Sequence, residues 1–411
     1  MAANEVENGM KIREGYGVIR NRLKSMKKQK ILPRFGCLRL DDESPTVDKK
    51  IDDGGIDMVS AGALNDRCDP THLIVMVNGI IGSSQDWRYA AKQFLKTHPQ
   101  QVLVHCSEKN TATLTFDGID VMGERLADEV ISVVQRYPNL CKISFIGHSL
   151  GGLIARYAIA LLFGRDYMNR VSKIDGETGS NGCAKVLHED NYIGKIAGLQ
   201  PVNFITFATP HLGSRGHNQV PMFCGFHALE LIARHGSWFL GRTGRHLFLT
   251  DKDKGKTPLL LRMVNDCEGL PFMSALQCFN RRVAYANVRF DQLVGWCTSS
   301  IRHETELTKG RYKAKNDRYR HIVNVDNGVL AASQRVSTLE SIMHAWKNLR
   351  TRDMVEEMMK GLTAVSWERV DVKFGGGKHR LIAHNSIQVQ TYCVHSSGAD
   401  VIQHMIDNFV L

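Results

Sequence analysis

Several features common in other protein classes are missing from this sequence of 411 residues. No apolar run reaches the roughly 18 residues of a membrane-spanning helix, so we expect no transmembrane segment. The first residues, MAANEVENGMKIREG, lack the apolar stretch of a secretory signal peptide, and their acidic side chains argue against an organelle transit peptide. None of the ten cysteines forms a CxxC pair, which favours reduced thiols over a disulfide framework or a zinc site. We therefore expect an intracellular protein, cytoplasmic or peripheral on a lipid surface, with the organelle left open, a plastid included.

The charge balance is uneven because acidic residues are fewer than basic ones. There are 53 Lys and Arg residues against 42 Asp and Glu, a net charge of +11. Such an excess fits either solvated surface charge or attraction to anionic surfaces such as acidic lipid. No RNP, zinc-finger or helix-turn-helix pattern is present, so we expect no nucleic-acid partner.

The chain divides by composition into an N-terminal extension and one long domain. Residues 1–70 are polar and charged, and they predict a mobile extension. From residue 72 onward, buried-strand patterns such as HLIVMVNG, QVLVHCS, KISFIG and VNFITFATP alternate with helical patterns. Alternation of this kind predicts an α/β fold over 71–411, with a mostly parallel central sheet flanked by helices.

Two stretches interrupt the alternation. Residues 212–280 contain two apolar helical patches around Gly and Trp and no evident strand, which predicts a cap or lid insertion. Its apolar part, 221–249, either covers a pocket and contacts a bilayer when open, or is a buried cap helix. Residues 302–366 are charged and partly helical, and they predict a second insertion to which the pattern assigns no role.

A tight strand-to-helix bend carries the strongest chemical signal. Gly147-His148-Ser149-Leu150-Gly151 matches G-x-S-x-G, between the predicted strand KISFIG and the predicted helix LGGLIARYAIALLFG. In a nucleophile elbow of this kind, the central serine adopts a strained conformation that presents its hydroxyl at the edge of the sheet. We expect Ser149 to be a nucleophile.

A serine nucleophile needs a base and an orienting acid, which follow it in that architecture in the order acid, then histidine. Asp291 comes directly after the strand pattern RRVAYANVRF and is the predicted acid, with Asp251 and Asp253 as lower-ranked alternatives. His384 follows the last strand pattern, WERVDVKF, and is the predicted base. His379 and His395 are alternative bases in the same region. His404 is predicted to pack within the terminal helix, and His148 is predicted to shape the pocket.

Acyl transfer also needs hydrogen-bond donors for an oxyanion. The backbone N–H of Leu150, next to the serine, is one predicted donor. The second is the N–H of Ile80 in the loop Asn78-Gly79-Ile80-Ile81-Gly82, unless that loop is an ordinary strand-end turn. Asn78 stands where lipases usually carry histidine, but the backbone donor does not depend on that side chain.

With these residues in hand, the chain resembles the lipase-like putative serine esterase family of α/β hydrolases found in plants and fungi. The matching segments are VNGIIGSSQDW, FIGHSLGGLIARYAI, FATPHLGSRG, GRTGRHLFLTD, YANVRFDQLVGWCTSSI and AHNSIQV. The resemblance implies the α/β-hydrolase fold and hydrolysis of carboxylic ester bonds in lipids through an acyl-enzyme, with no metal or organic cofactor. It also implies a lipid ester as the partner, and it leaves open the head group, phospholipase and galactolipase included, and the oligomeric state. An acyltransferase that uses the same triad, or a non-catalytic lipid-binding scaffold, is the alternative.

Overall fold

The computed structural model describes residues 46–50, 56–60, 69–165, 194–214, 240–251, 257–267, 269–307, 317–328, 351–377 and 379–411. The strands are β1 Thr46–Lys50, β2 Ile56–Ser60, β3 His72–Val77, β4 Val102–Cys106, β5 Lys142–His148, β6 Gln200–Phe207, β7 Asp266–Cys267, β8 Leu270–Pro271, β9 Arg281–Asn287, β10 Ile322–Asp326 and β11 Glu368–Val372. The α-helices are α1 Arg88–Thr97, α2 Ile119–Arg136, α3 Leu150–Leu162, α4 Gly241–Leu247, α5 Leu259–Arg262, α6 Phe272–Gln277, α7 Trp296–Ser300, α8 Thr351–Thr363, α9 His379–Ser386, α10 Tyr392–His395 and α11 Ala399–Asp407.

A nine-stranded sheet organises the described chain, in the order β1-β2-β4-β3-β5-β6-β9-β11-β10. The six central strands, β4, β3, β5, β6, β9 and β11, run parallel to one another. The edge strands β1, β2 and β10 pair antiparallel. Every side chain of β3 is buried, as expected for a strand whose two faces are both covered by helices. The predicted α/β class and α/β-hydrolase fold are confirmed.

Two apolar layers lie on opposite faces of the sheet. On one face, α2 and α3 contribute side chains such as Leu126, Val130 and Ile154 to the larger core cluster. On the other face, α1 and α11 contribute Phe94 and Met405 to a second cluster. These layers hold the sheet rigid, so the residues at the carboxyl ends of its parallel strands have fixed positions. No helix within the described ranges is both long and apolar enough to span a membrane.

Part of the stretch predicted to be a mobile extension belongs to the sheet. β1 and β2 form a hairpin, and β2 pairs with β4 through Ile56, Asp57 and Met58. These strands are short and carry charged residues, so their sequence shows no clear two-residue alternation. Of the rest of the predicted extension, residues 1–45, 51–55 and 61–68 lie outside the described residues.

The two predicted insertions also differ in detail from expectation. No strand was expected within 212–280, yet β7 and β8 pair there as a two-stranded ribbon, too short to produce a periodic pattern. Within 302–366, β10 adds an edge strand to the sheet, and α8 supplies buried methionines to the larger core cluster. Of the apolar stretch 221–249, residues 221–239 lie outside the described residues, so the lid itself stays a prediction.

Candidate active site

Ser149 occupies the tight bend between β5 and α3. Its backbone has φ 52° and ψ −124°, in a region that L-residues rarely adopt, and its N–H donates to the Phe207 carbonyl 2.8 Å away. A side chain at position 147 would collide with the Gly152 backbone, and one at position 151 would collide with the Val77 carbonyl oxygen. The two flanking glycines are therefore required by the close approach of strand and helix, as the sequence predicted.

Asp291 and His384 are hydrogen-bonded to each other. His384 Nδ1 lies 3.0 Å from Asp291 Oδ2 and 3.1 Å from Oδ1. Asp291 follows β9 and His384 lies in α9, beyond β11, so both come from the carboxyl ends of parallel strands. The structure brings these two predicted residues together although 93 positions separate them.

The surroundings of Asp291 keep its carboxylate charged. Its oxygens accept hydrogen bonds from the Asn287 side chain at 2.9 Å and from the N–H groups of Leu293 and Val294 at 3.0 and 2.9 Å. Burial alone would raise the pKa of the Asp291 carboxyl, but the neighbouring His384 and these donors outweigh burial and lower the pKa. A carboxylate of this kind can orient an imidazole and stabilise its protonated form.

His148 is a neutral neighbour of the His384 imidazole. Its Nε2–H donates to the His384 carbonyl oxygen 2.8 Å away, and the two ring centres are 4.7 Å apart. Burial, with a contribution from His384, lowers the pKa of His148 to about 3. His148 therefore holds the backbone of His384 in place, which specifies the pocket-shaping role that the sequence suggested.

The predicted oxyanion donors flank the serine. Ile80 and Leu150 line the same cleft as Ser149. A Cβ added to Gly79 would lie 3.0 Å from Ser149 Cβ, so the loop approaches the serine closely. Within the described part of the chain, neither the Ile80 N–H nor the Leu150 N–H has a protein acceptor. Both N–H groups are therefore available to an oxygen bound in the cleft.

Asn78 has a structural role in that loop. Its side-chain amide donates to the carbonyl oxygens of Gly79 and Asn110, at 3.1 and 3.0 Å. The residue that replaces the usual histidine thus ties the loop to the segment after β4.

The alternative acids and bases either have other hydrogen-bond partners or lie outside the described residues. Asp251 accepts a hydrogen bond from the Leu259 N–H and lies 3.9 Å from His246, whereas the carboxylate bonded to His384 is that of Asp291. His395 is bonded to the Thr391 backbone, and His404 to the Tyr285 hydroxyl. Asp253 and the side chain of His379 lie outside the described residues.

The cleft over Ser149 is narrow and mainly apolar, with a cavity volume of about 50 Å³. Its lining consists of Ile80, Ser149, Leu150, Pro210, Ser214, Leu240, Leu247, Phe248, Leu293 and Val294. An apolar cleft of this kind suits a hydrocarbon chain attached to the reacting group. In the part of the chain that the structure describes, no group of three or more His, Cys, Asp or Glu side chains is arranged to hold a metal ion.

Several of these residues had no role assigned from sequence. Asn287, which donates to Asp291, is one of them, although it stands only four positions before the predicted acid. Pro210 and Ser214 fall within the segment TPHLGSRG, which carried the resemblance but no function. Leu240, Leu247 and Phe248, in contrast, belong to the stretch 221–249, for which a pocket cover was one of the two predictions.

A family model described as "Putative serine esterase (DUF676)" matches residues 67–301, more than half of the chain. The matched stretch contains Ser149 and Asp291 and ends before His384.

Curated relatives match over a similar span. "Putative lipase ROG1" of Saccharomyces cerevisiae is 30% identical over 235 residues, which are 56% of this chain and 28% of that protein. "Putative lipase YDL109C" of the same yeast is 28% identical over 240 residues, 57% of this chain and 31% of that protein. The aligned part of the chain thus spans less than a third of either relative.

Among solved structures, carboxyl esterase 2 from the mycorrhizal fungus Tuber melanosporum aligns with 95% of this chain and 98% of its own, at 9% identity and a TM-score of 0.42.

Proposed function

This chain belongs to the family described as "Putative serine esterase (DUF676)", and from that premise we propose that it hydrolyses carboxylic ester bonds of lipids through an acyl-enzyme on Ser149. The observation that carries the proposal is the hydrogen-bonded pair of Asp291 and His384, in a fold that also presents a strained serine in an apolar cleft. A serine, followed along the chain by a charged acid and then by an imidazole, supplies the components of a serine hydrolase triad in this architecture.

In the first half of the reaction, Ser149 Oγ attacks the ester carbonyl carbon while His384 Nε2 takes the hydroxyl proton. The Asp291 carboxylate keeps the other proton of the ring on Nδ1 and stabilises the imidazolium that forms. The carbonyl oxygen becomes an oxyanion, and the N–H groups of Ile80 and Leu150 stabilise it. His384 then gives its proton to the alkoxide oxygen of the leaving alcohol as the C–O bond breaks.

In the second half, water attacks the acyl-enzyme carbonyl while His384 again acts as the base. The same two N–H groups receive the second oxyanion. Collapse of that intermediate releases the carboxylic acid and returns the proton from His384 to Ser149. Each step uses groups of this chain and water alone.

The lining of the cleft supports a lipid ester as the substrate. Leu240, Leu247, Phe248, Leu293 and Val294 form apolar walls beside Ser149. An acyl chain bound between them loses contact with water, at roughly 0.8 kcal/mol per buried methylene group. The substrate comes from a lipid surface, so we also propose transient contact of the protein with such a surface.

A single serine substitution tests the chemistry. We expect Ser149→Ala to abolish turnover of p-nitrophenyl butyrate and labelling by a fluorophosphonate probe. Ser132→Ala, which changes a half-buried serine of α2 that does not line the cleft, is the matched control and should keep both. Full turnover in the Ser149→Ala variant would contradict the proposal. Turnover with no labelling of Ser149 in the wild type would contradict it as well.

Product analysis separates hydrolysis from acyl transfer. Mixed phospholipid, galactolipid and triacylglycerol vesicles are incubated with the wild type and with Ser149→Ala, in the presence and absence of glycerol as a second acceptor. Hydrolysis predicts free fatty acid as the main product in both conditions, and none from the variant. Acyl glycerol as the main product would instead identify an acyltransferase, and absence of any product would favour a non-catalytic scaffold.

A further inference from the structure

We propose that α4, the helix that contains the GRTGR segment, positions the oxyanion loop through two threonines, Thr243 and Thr115. The Thr243 hydroxyl binds the Thr115 carbonyl, and the Thr115 hydroxyl binds the loop; we call this pair the threonine relay. The oxyanion loop is residues 78–82, which include the donor residue Ile80. This inference rests on the proposed function, because it concerns the geometry of the proposed oxyanion site.

The oxyanion loop contains a residue that needs external support. Ile81 has φ 56°, and its side chain is 56% exposed, so little packing holds it. A β-branched residue in the left-handed region is strained and persists only where its surroundings impose that conformation. The Ile81 N–H donates to Thr115 Oγ1 at 3.0 Å, and this hydrogen bond fixes the peptide unit next to Ile80.

Thr115 lies in the 3-10 turn Ala112–Phe116 and is itself held on two sides. Its hydroxyl donates to the Ala112 carbonyl at 2.6 Å, so the lone pairs of the same oxygen are free to accept from Ile81. Its carbonyl oxygen accepts the Thr243 hydroxyl at 2.7 Å. The Ala112 N–H also donates to the Gly82 carbonyl at 3.2 Å, which is a second link between the turn and the oxyanion loop.

Thr243 occupies the centre of α4 and completes the relay. Its hydroxyl donates a hydrogen bond to the Thr115 carbonyl oxygen and accepts one from the Gly118 N–H at 3.0 Å. These two hydrogen bonds fix the orientation of the hydroxyl. Both threonines are completely buried, and no water reaches them to replace a lost hydroxyl. The neighbouring His246 accepts the Ile119 N–H through Nδ1 at 3.1 Å, which keeps α4 aligned with the start of α2.

The relay matters for catalysis because oxyanion donors act only when they are accurately placed. An N–H is effective at about 2.7–3.1 Å from the position of the oxyanion, and losing one such donor costs about 100- to 1,000-fold in kcat. Loosening a loop is a smaller change than losing its donor. We therefore expect the removal of the Thr243 hydroxyl to lower kcat by about 10- to 100-fold, with KM changed less than about threefold.

The test compares Thr243→Val, which keeps the shape of the side chain and removes its hydroxyl, with Thr243→Ser, which keeps the hydroxyl. Thr115→Val and Thr115→Ser form a second pair, so the proposal stays testable if one variant fails to fold. Thr97→Val is the matched control, because the Thr97 hydroxyl donates to a backbone carbonyl at the exposed end of α1. We expect both valine variants to lose kcat, and both serine variants and the control to stay within about threefold of the wild type.

A further measurement separates positioning from a purely structural role. A trifluoromethyl ketone adds to the serine and forms an oxyanion, so its affinity reports on the oxyanion site. In the valine variants we expect this affinity to fall in proportion to kcat/KM, while fluorophosphonate titration still counts one active serine per folded chain. An unchanged inhibitor affinity, or a kcat loss explained by fewer titratable serines, overturns the inference.

Failure of this inference is distinct from failure of the proposed function. If Ser149→Ala keeps full turnover, the proposed function is wrong and the inference falls with it. If Ser149→Ala is inactive while Thr243→Val and Thr115→Val equal the wild type, only the threonine relay is wrong.

Discussion

Replacing Asp291 by asparagine changes one atom and should remove most of the activity. The two oxygens of Asp291 accept hydrogen bonds from His384, Asn287, Leu293 and Val294, so all four neighbours act as donors to the carboxylate. In the asparagine variant, an amide NH2 must take the place of one oxygen. The Asn287 side chain can rotate to present its own oxygen, whereas the backbone N–H groups cannot, so the new NH2 should occupy the Oδ2 position.

That orientation directs a donor at His384 Nδ1. The imidazole must then accept a hydrogen bond at Nδ1 and carry its own proton on Nε2. Nε2 is the nitrogen that has to take the proton of Ser149, so this tautomer cannot act as the base. The variant also lacks the negative charge that stabilises the imidazolium. At the observed separation of 3.0 Å, and with an effective dielectric constant of about 20, that attraction amounts to at most about 5.5 kcal/mol. We therefore expect kcat to fall by about 1,000- to 10,000-fold.

The assay is kcat for p-nitrophenyl butyrate, with the folded state checked by thermal unfolding. Asp266→Asn is the matched control, because Asp266 also accepts two backbone N–H groups and lies outside the cleft. Asp251→Asn tests the rival acid and should change kcat far less than Asp291→Asn does. A loss below tenfold in folded Asp291→Asn would refute this reasoning, as would a larger loss in Asp251→Asn.

Two further predictions concern stability. Because Ser149 has φ 52°, Ser149→Gly should be more stable to urea than Ser149→Ala by about 1 kcal/mol, and equal stability would show that the bend is unstrained. Burial alone would lower the pKa of His105, but hydrogen bonds and charges of Asp57, 2.5 Å away, and Glu129 outweigh it and raise the pKa to about 9. Protonated His105 therefore stabilises the fold fully below pH 6.5, and this contribution, up to about 3 kcal/mol, is lost as the pH rises through 9. Urea unfolding at pH 6, 7.5 and 9 should show this decline in the wild type and a weaker one in His105→Gln, and parallel profiles would contradict it.

The sequence predicted the parts of the molecule that are encoded locally. The elbow at Ser149 needs small residues at fixed offsets, so five consecutive residues identify it. Buried strands such as β3 and β6 appear as continuous apolar runs, because both of their faces are covered. Asp291 and His384 could be selected because the carboxyl ends of parallel strands meet at one edge of a sheet.

Other features depend on contacts that no local pattern records. β2 joins the sheet through Asp57, whose partners His105 and Arg136 lie 48 and 79 positions away. The hydroxyl of Thr243 reaches the Thr115 carbonyl across 128 positions, so no local pattern assigned Thr243 a role. β7 and β8 have two residues each, which is too few to establish a period. Long-range polar pairing and very short elements thus account for what the sequence left unpredicted.

The central claim, that Ser149 carries the acyl group during turnover, can be tested by rapid-quench mass spectrometry. The wild type is mixed with p-nitrophenyl butyrate, quenched in acid within the first turnover, digested and mapped. We predict a butyryl group on the peptide that contains Ser149, at up to one group per chain, and none in Ser149→Ala. A butyryl group on a different residue would contradict the claim. It would also be contradicted if a sample that shows a burst of p-nitrophenol in the first turnover contained no acylated peptide.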